Sequence, residues 1–165
     1  MAGFDYGWME SPVGVLLIAG DDAGLRRMLF AEGRREVRPE PGWRENPAAL
    51  KEAVRQLDAY FAGRLREFTL RLAPEGTPFQ RRVWDELLKL PYGTTTSYGL
   101  LARRLGDPNA SRAVGLANGS NPISIVIPCH RVVGSNGRLT GYGGGLKNKE
   151  WLLALERGQL NLPIR

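Results

Sequence analysis

The sequence predicts an α+β protein: a small antiparallel sheet with one helix, joined to a mostly helical second part that contains a helix-turn-helix. Three observations carry this expectation. Short apolar runs punctuated by Ser11-Pro12, Gly14 and Asp21-Asp22-Ala23-Gly24 open the chain. Helical spacing of apolar residues dominates after Thr77. Between them, Pro74-Glu75-Gly76 is the best candidate linker, dividing the chain into residues 1–73 and 74–165.

In order, Tyr6 to Ile18 predicts two short strands around a turn, and Leu25 to Phe30 a third strand after the Asp21–Gly24 turn. Ala31 to Pro47 is charged and holds Pro39, Pro41 and Pro47, which predicts a surface loop without regular structure. Ala48 to Phe61 places Leu50, Val54, Leu57 and Tyr60 or Phe61 at helical spacing, and Gly63 stops the helix. Leu65 to Leu72 alternates, with Phe68, Leu70 and Leu72 on one face, and predicts a strand. Nothing in these 73 residues groups as a catalytic or metal-binding cluster.

Thr77-Pro78-Phe79-Gln80 then has the spacing of a capping box with proline at the first helical position. The helix it opens is expected to bury Phe79, Val83, Trp84, Leu87 and Leu88 and to end at Pro91-Tyr92-Gly93. Ser97 to Leu105 predicts a second helix, and Ala110 to Asn118 a third, with Asn109 as its cap. Short helices joined by a few residues read as a helix-turn-helix. A strand is expected from Ile123 into Cys129, a turn over Gly134–Gly137, and a glycine-rich loop over Thr140–Gly145. That loop is no phosphate loop: its glycine spacing before Lys147 is wrong, and Asn148 stands where Ser or Thr is needed. A last helix, Lys147 to Arg157, puts Trp151, Leu152 and Leu155 on one side and Glu156 near its end.

The third helix is unusual for a major-groove reader. One long polar side chain, Arg112, stands among Ala110, Ser111, Ala113, Gly115 and Ala117, whereas readers of base edges carry Asn, Gln, Arg or Lys at several positions. A smooth face of small residues lets a helix backbone approach a shallow minor groove, with one arginine pushed into the base stack. Ordinary close helix packing with a solvated Arg112 is the alternative.

The 165 residues carry a net charge of +6. Residues 1–73 hold eleven acidic and eleven basic side chains, and residues 74–165 six and twelve, so the whole excess lies in the second part. That asymmetry points to a polyanionic partner for the second part, or to a basic surface kept for solubility. The opening residues include Asp5 and Glu10 and do not read as a signal peptide, and no apolar run approaches a membrane span. A reduced, cytoplasmic protein is expected, associated with the nucleoid if its polyanionic partner is DNA.

Chemistry concentrates in Ile123–Val133, read I-S-I-V-I-P-C-H-R-V-V. Cys129 is the only cysteine and His130 the only histidine, and Arg131 follows. A lone cysteine forms no internal disulfide, and one cysteine with one histidine does not complete a structural zinc set. Cys129 is therefore a buried inert thiol or a nucleophile. Flanking cations favour the second, since a nearby positive charge pulls a cysteine pKa from roughly 8.5 to about 3.5–7.5.

Several long motifs resemble one family: F-Q-R-R-V-W from Phe79, P-Y-G-T-T-T-S-Y from Pro91, S-R-A-V-G from Ser111, N-P-I-S-I-V-I-P-C-H-R-V from Asn121 and G-Y-G-G-G-L-K-N-K-E-W-L-L-A-L-E from Gly141. Residues 77–158 resemble the catalytic domain of the O6-alkylguanine-DNA alkyltransferases, the methylated-DNA-protein cysteine methyltransferases. The first 73 residues resemble the family's more variable amino-terminal domain in layout and in the opening S-P-V-G. The resemblance implies a ribonuclease H-like layout for residues 1–73 and a winged helix-turn-helix in residues 74–165.

It also implies repair by direct reversal. Duplex DNA is bound through the minor groove, an O6-alkylated guanine is flipped out, and its alkyl group passes irreversibly and once to Cys129. O4-alkylthymine is a second candidate substrate. By position, His130 acts through a bridging water as base, Glu156 orients it, Asn121 holds the active-site turn, and Tyr98 donates to guanine N3. Arg112 fills the space left by the flipped base, within a DNA face of Ser111, Ala113, Gly115 and Tyr98. Tyr142, Gly143, Val132 and Pro128 line the pocket, and Arg131 braces the structure. Gly143 stands where some animal members carry a serine that donates to guanine O6. No cofactor is implied, and the zinc of some relatives is not expected, because residues 1–73 hold no cysteine or histidine. Regulation through a second methylated cysteine is excluded. A monomer is expected, with cooperative assembly on DNA left open. Two rivals remain: a cysteine-histidine hydrolase, disfavoured because the sole histidine adjoins the sole cysteine, and a non-catalytic lesion sensor or helix-turn-helix regulator.

Overall fold

A computed structural model describes residues 3–33, 36–160 and 162. The expected turns bring the first strands together. Ser11 and Gly14 close the first turn, with Gly14 N–H donating to Ser11 O at 3.1 Å and Gly14 at φ 96°, so that β1 (Asp5–Met9) pairs antiparallel with β2 (Leu16–Asp21). The next turn leads into β3 (Gly24–Phe30), antiparallel to β2 with an irregularity at Ala19/Gly20. β2 is buried over Leu16–Gly20, as an inner strand covered on both faces must be.

The segment read as an irregular loop contributes a fourth strand. β4 (Arg44–Glu45) runs parallel to β1, giving the order β3-β2-β1-β4. Arg44 and Asn46 N–H donate to Phe4 O and Tyr6 O, both at 2.9 Å, and the Arg44 guanidinium meets Asp5 at 3.0 Å. Two residues between Pro41 and Pro47 carry no alternation, so the strand left no pattern in the sequence. The converse holds for Leu65–Leu72. Phe68, Leu70 and Leu72 do pack on the core, but the expected strand is reduced to one bridge, Leu72 to Leu25. Gln56 intercepts the ladder, accepting from Thr69 N–H at 2.9 Å and donating to Thr69 Oγ1 at 3.0 Å.

A short 3-10 turn, Pro47–Leu50, leads into α1 (Lys51–Phe61), whose Leu57, Tyr60 and Phe61 face the core. α2 (Pro78–Leu88) starts from the predicted capping box: Thr77 Oγ1 accepts from Gln80 N–H and Gln80 Oε1 from Thr77 N–H. Leu88, expected inside, is 46% exposed at the end of the helix. Trp84 Nε1 donates to Ala117 O at 2.9 Å and locks α2 onto α4.

β5 (Thr96–Ser97) precedes α3 (Tyr98–Arg104), and α4 (Ser111–Gly119) packs on both α2 and α3. Asn109 does not cap α4. Ala110 occupies that position without a side-chain bond, while Asp107 Oδ1 accepts from Asn109 N–H and forms the turn instead. β6 (Val132–Val133) pairs parallel with β5, and α5 (Leu146–Glu156) closes the molecule. α5 buries more than the predicted stripe: Lys149 and Leu153 join Leu152 and Leu155, while Trp151 is only half-buried. One apolar core runs from Met9 through Met28, Leu57, Trp84 and Ile123 to Leu155, so sheet and helices share an interior. No helix among the described residues is long and apolar enough to cross a membrane.

Candidate active site

Asn121 organises the turn that carries the thiol. Its Nδ2 donates to Ile127 O at 2.8 Å, and its Oδ1 accepts from Ile123 N–H at 2.9 Å. The strand expected from Ile123 into Cys129 is therefore replaced by turns, with Val126 N–H reaching Ser124 O and Cys129 N–H reaching Ile127 O, both at 2.8 Å. Ile125 sits at φ 72°, a left-handed conformation that a β-branched residue keeps only when its surroundings impose it. β-branched composition reported burial here rather than pairing: every residue from Asn121 to Val133 is buried. The edge of β3 grips the segment, as Met28 N–H donates to Pro122 O and Ser124 N–H to Met28 O, both at 2.9 Å.

Pro128 leads into a 3-10 turn, Cys129–Arg131. From it, His130 and Arg131 converge on Glu156 at the end of α5. Glu156 Oε2 accepts from His130 Nε2 at 2.7 Å and Arg131 Nη2 at 3.0 Å, and Oε1 accepts from Arg131 Nε at 2.7 Å. Tyr60 Oη, from α1, donates to Oε2 at 2.6 Å. Arg131 Nη1 also donates to Leu90 O at 2.8 Å. Burial pushes the Glu156 carboxyl up, but the hydrogen bonds from His130 and Arg131, with the Arg131 charge and that of His130 once it is protonated, outweigh it and hold the group at about 2. Burial pushes His130 down, so it rests neutral. The nitrogen facing the carboxylate carries the proton, which leaves Nδ1 a lone pair; Nδ1 is buried and has no partner among the described residues.

The neighbours of Cys129 do not act on it as their sequence adjacency suggests. Arg131 is neutralised by Glu156 and His130 is uncharged. Burial raises the thiol pKa, opposed by the Asn121 amide and by the charge of Lys149. The cation that favours a thiolate is thus Lys149, a residue the sequence reading passed over. Its side chain is fully buried, and its Nζ donates to Thr140 O at 3.0 Å. Asn118 Nδ2 approaches Cys129 O at 3.4 Å.

Residues 5–74 match the family described as 6-O-methylguanine DNA methyltransferase, ribonuclease-like domain, and residues 78–158 its DNA binding domain. A methylated-DNA–protein-cysteine methyltransferase of Methanosarcina acetivorans is 54% identical over 151 residues, covering 92% of this chain and 97% of the relative. One of Mycolicibacterium paratuberculosis is 54% identical over 153 residues, 93% of this chain and 92% of that protein. The chain belongs to the O6-methylguanine DNA methyltransferase family. Among solved structures, Mycobacterium tuberculosis OGT in complex with DNA superimposes with a TM-score of 0.88 at 49% identity, covering 94% of each chain.

The remaining residues singled out in this methyltransferase-family chain divide between the interior and the surface. Tyr142 is buried, its ring edge-on to Phe30 at 5.5 Å, and Gly144 lies flat on Phe30, where a Cβ would come within 2.6 Å of the ring. Gly143 is exposed, with open space where a side chain would stand. Val132 is buried in β6 beside Thr96, and Pro128 precedes the thiol. Tyr98 opens α3, its hydroxyl 2.9 Å from Thr140 Oγ1 and its ring against Gly115 of α4. Arg112 and Ala113 are exposed on α4 beside half-buried Ser111, a separate face from the buried cluster around Glu156.

Tyr60, Lys149, Thr140 and Asn118 were not read as residues of the site. Lys149, Leu152, Leu153 and Glu156 share one helical face at offsets of three, four and seven, a signal that was available in the sequence. Tyr60 was read as an apolar position, although a buried tyrosine hydroxyl requires a partner.

Proposed function

We propose that this chain repairs duplex DNA by transferring the alkyl group of O6-alkylguanine to Cys129, in a single irreversible event per protein molecule. The observation that carries the reading is the sole thiol of the chain, buried one residue from an imidazole whose Nε2 is held by an ionised Glu156 and whose Nδ1 is free to act as a base. Family membership supplies the reaction class, and the basic second part supports a DNA partner.

The steps balance as follows. The thiol proton passes through one bridging water to His130 Nδ1, while Glu156 stabilises the imidazolium that forms. Sγ forms a bond to the alkyl carbon, the C–O6 bond breaks, and its electron pair returns to the purine. The ring takes up one proton from water, assisted by a hydrogen bond from Tyr98 at N3, and His130 returns the thiol proton to solvent. Guanine is thus restored and the imidazole neutral as Cys129 becomes a thioether. A thioether offers no carbonyl for water to attack, so nothing regenerates the thiol. Lys149 lowers the cost of the thiolate in a buried site. Burial keeps the resting thiol protonated, which protects it from solution electrophiles until a substrate arrives.

Outside the buried site, α4 offers Arg112 to the gap left by the flipped base, and Ser111, Ala113, Gly115 and Tyr98 form the face that approaches the minor groove. Tyr142, Gly143, Val132 and Pro128 line the pocket, Asn121 holds its turn, and Arg131 braces Glu156. Phosphate contacts make binding strongly salt dependent and largely indifferent to sequence.

The test is the intact mass after incubation with a duplex carrying one O6-methylguanine. A gain of one methyl in place of one proton, mapped to Cys129, stopping at one equivalent and absent in Cys129→Ala, is expected. An unchanged mass with the duplex still bound would leave a DNA-binding protein with a silent thiol.

A further inference from the structure

Thr140 stands at a junction between the DNA-facing helices and the buried thiol. Its Oγ1 lies 2.9 Å from Tyr98 Oη, the one hydrogen bond of that hydroxyl among the described residues. Its carbonyl accepts the ammonium of fully buried Lys149 at 3.0 Å. A buried ammonium holds its acceptor tightly, because leaving it unpaired is costly. Thr140 is β-branched, so its side chain is stiff once the backbone is fixed. The hydroxyl is therefore held in place from behind, although the residue itself is exposed.

A phenol has one proton to donate and lone pairs with which to accept. When Thr140 donates to Tyr98 Oη, the Tyr98 proton remains available for another acceptor. Consecutive hydrogen bonds polarise one another, so a phenol that accepts one becomes a stronger donor of the next. We propose that Thr140 is a positioning residue for alkyl transfer: its hydroxyl donates to Tyr98 Oη, aims the Tyr98 O–H at the ring of the flipped base, and strengthens that bond as the purine receives the C–O6 electron pair. The inference rests on the reading of Tyr98 as the donor to the ring. It adds no covalent step, since the bonds formed and broken are those already given.

Single-turnover transfer from an O6-methylguanine duplex at saturating DNA tests it, with Thr140→Val, Thr140→Ser, Tyr98→Phe and the Tyr98→Phe/Thr140→Val double variant. Valine keeps the shape and branching of threonine without its hydroxyl. Thr140→Val is expected to slow transfer about tenfold, the effect of roughly one net hydrogen bond. Duplex affinity stays unchanged, Thr140→Ser recovers most of the rate, and Thr140→Val adds nothing in the Tyr98→Phe background. A wild-type rate for Thr140→Val beside a slow Tyr98→Phe would overturn the role of Thr140 alone. A defect in Thr140→Val that persists in full without the Tyr98 hydroxyl would do the same. Wild-type transfer by Tyr98→Phe would overturn the reading of Tyr98, and the role of Thr140 with it.

Discussion

Glu156 and Cys129 are both buried, yet their surroundings differ in kind. Around Glu156, four hydrogen bonds from Tyr60, His130 and Arg131 reach the two carboxylate oxygens. In the polar groups about Cys129, the buried Asn118 Oδ1, His130 Nδ1 and Tyr142 Oη have no partner among the described residues. In a low-dielectric interior a polar group bonded within the protein is rigid, and one without a protein partner is left for solvent or substrate to bond. The contrast separates an anchor, complete in the folded chain, from a receiving site whose hydrogen bonds await solvent or substrate.

The largest effect that would break this contrast is expected from Glu156→Gln. It leaves Arg131 buried beside a neutral amide and should cost about 3–5 kcal/mol in urea unfolding, as loss of one partner from a buried ion pair does. A cost below about 1 kcal/mol would mean that the anchor is not closed to water.

Acid should dismantle the same anchor. The folded pKa of Glu156, about 2, lies below its ordinary 4.5, and burial holds His130 below its ordinary 6.5. Both groups bind protons more readily in the unfolded chain, so their contribution to stability is complete above pH 6.5 and falls as the pH drops. The His130 contribution is lost first, and roughly 3 kcal/mol from Glu156 follows between pH 4.5 and about 2. Unfolding free energies measured from pH 8 downward check this, and a flat profile would contradict it.

A matched pair of substitutions sharpens the comparison. Tyr60→Phe removes a donor to a charged acceptor and should cost about 1.5–3 kcal/mol. Tyr142→Phe removes a buried hydroxyl without a protein partner, and should leave stability unchanged or raise it by about 1 kcal/mol. Thermal melts of the two variants decide the matter. A loss in Tyr142→Phe equal to that in Tyr60→Phe would mean that the receiving site is as fully bonded as the anchor.

Much of the site was legible because it is local. Cys129, His130 and Arg131 are consecutive, and Thr77 and Gln80 cap a helix across three residues. The errors came where local composition met tertiary competition. Ile123–Ile127 has strand composition, but Asn121 takes its backbone groups, and Leu65–Leu72 alternates, but Gln56 takes Thr69. Tyr60 reaches Glu156 across 96 residues, a separation at which no pattern of spacing operates.

By itself the sequence determined the nucleophile candidate, the order of the main helices and strands, and the family, because these depend on residue identity and short-range periodicity. Tertiary structure decided which charge acts on the thiol. Adjacency suggested Arg131 and His130, but packing α5 beneath the turn gave both to Glu156 and brought in Lys149, since Coulomb energies follow distance and burial rather than position along the chain.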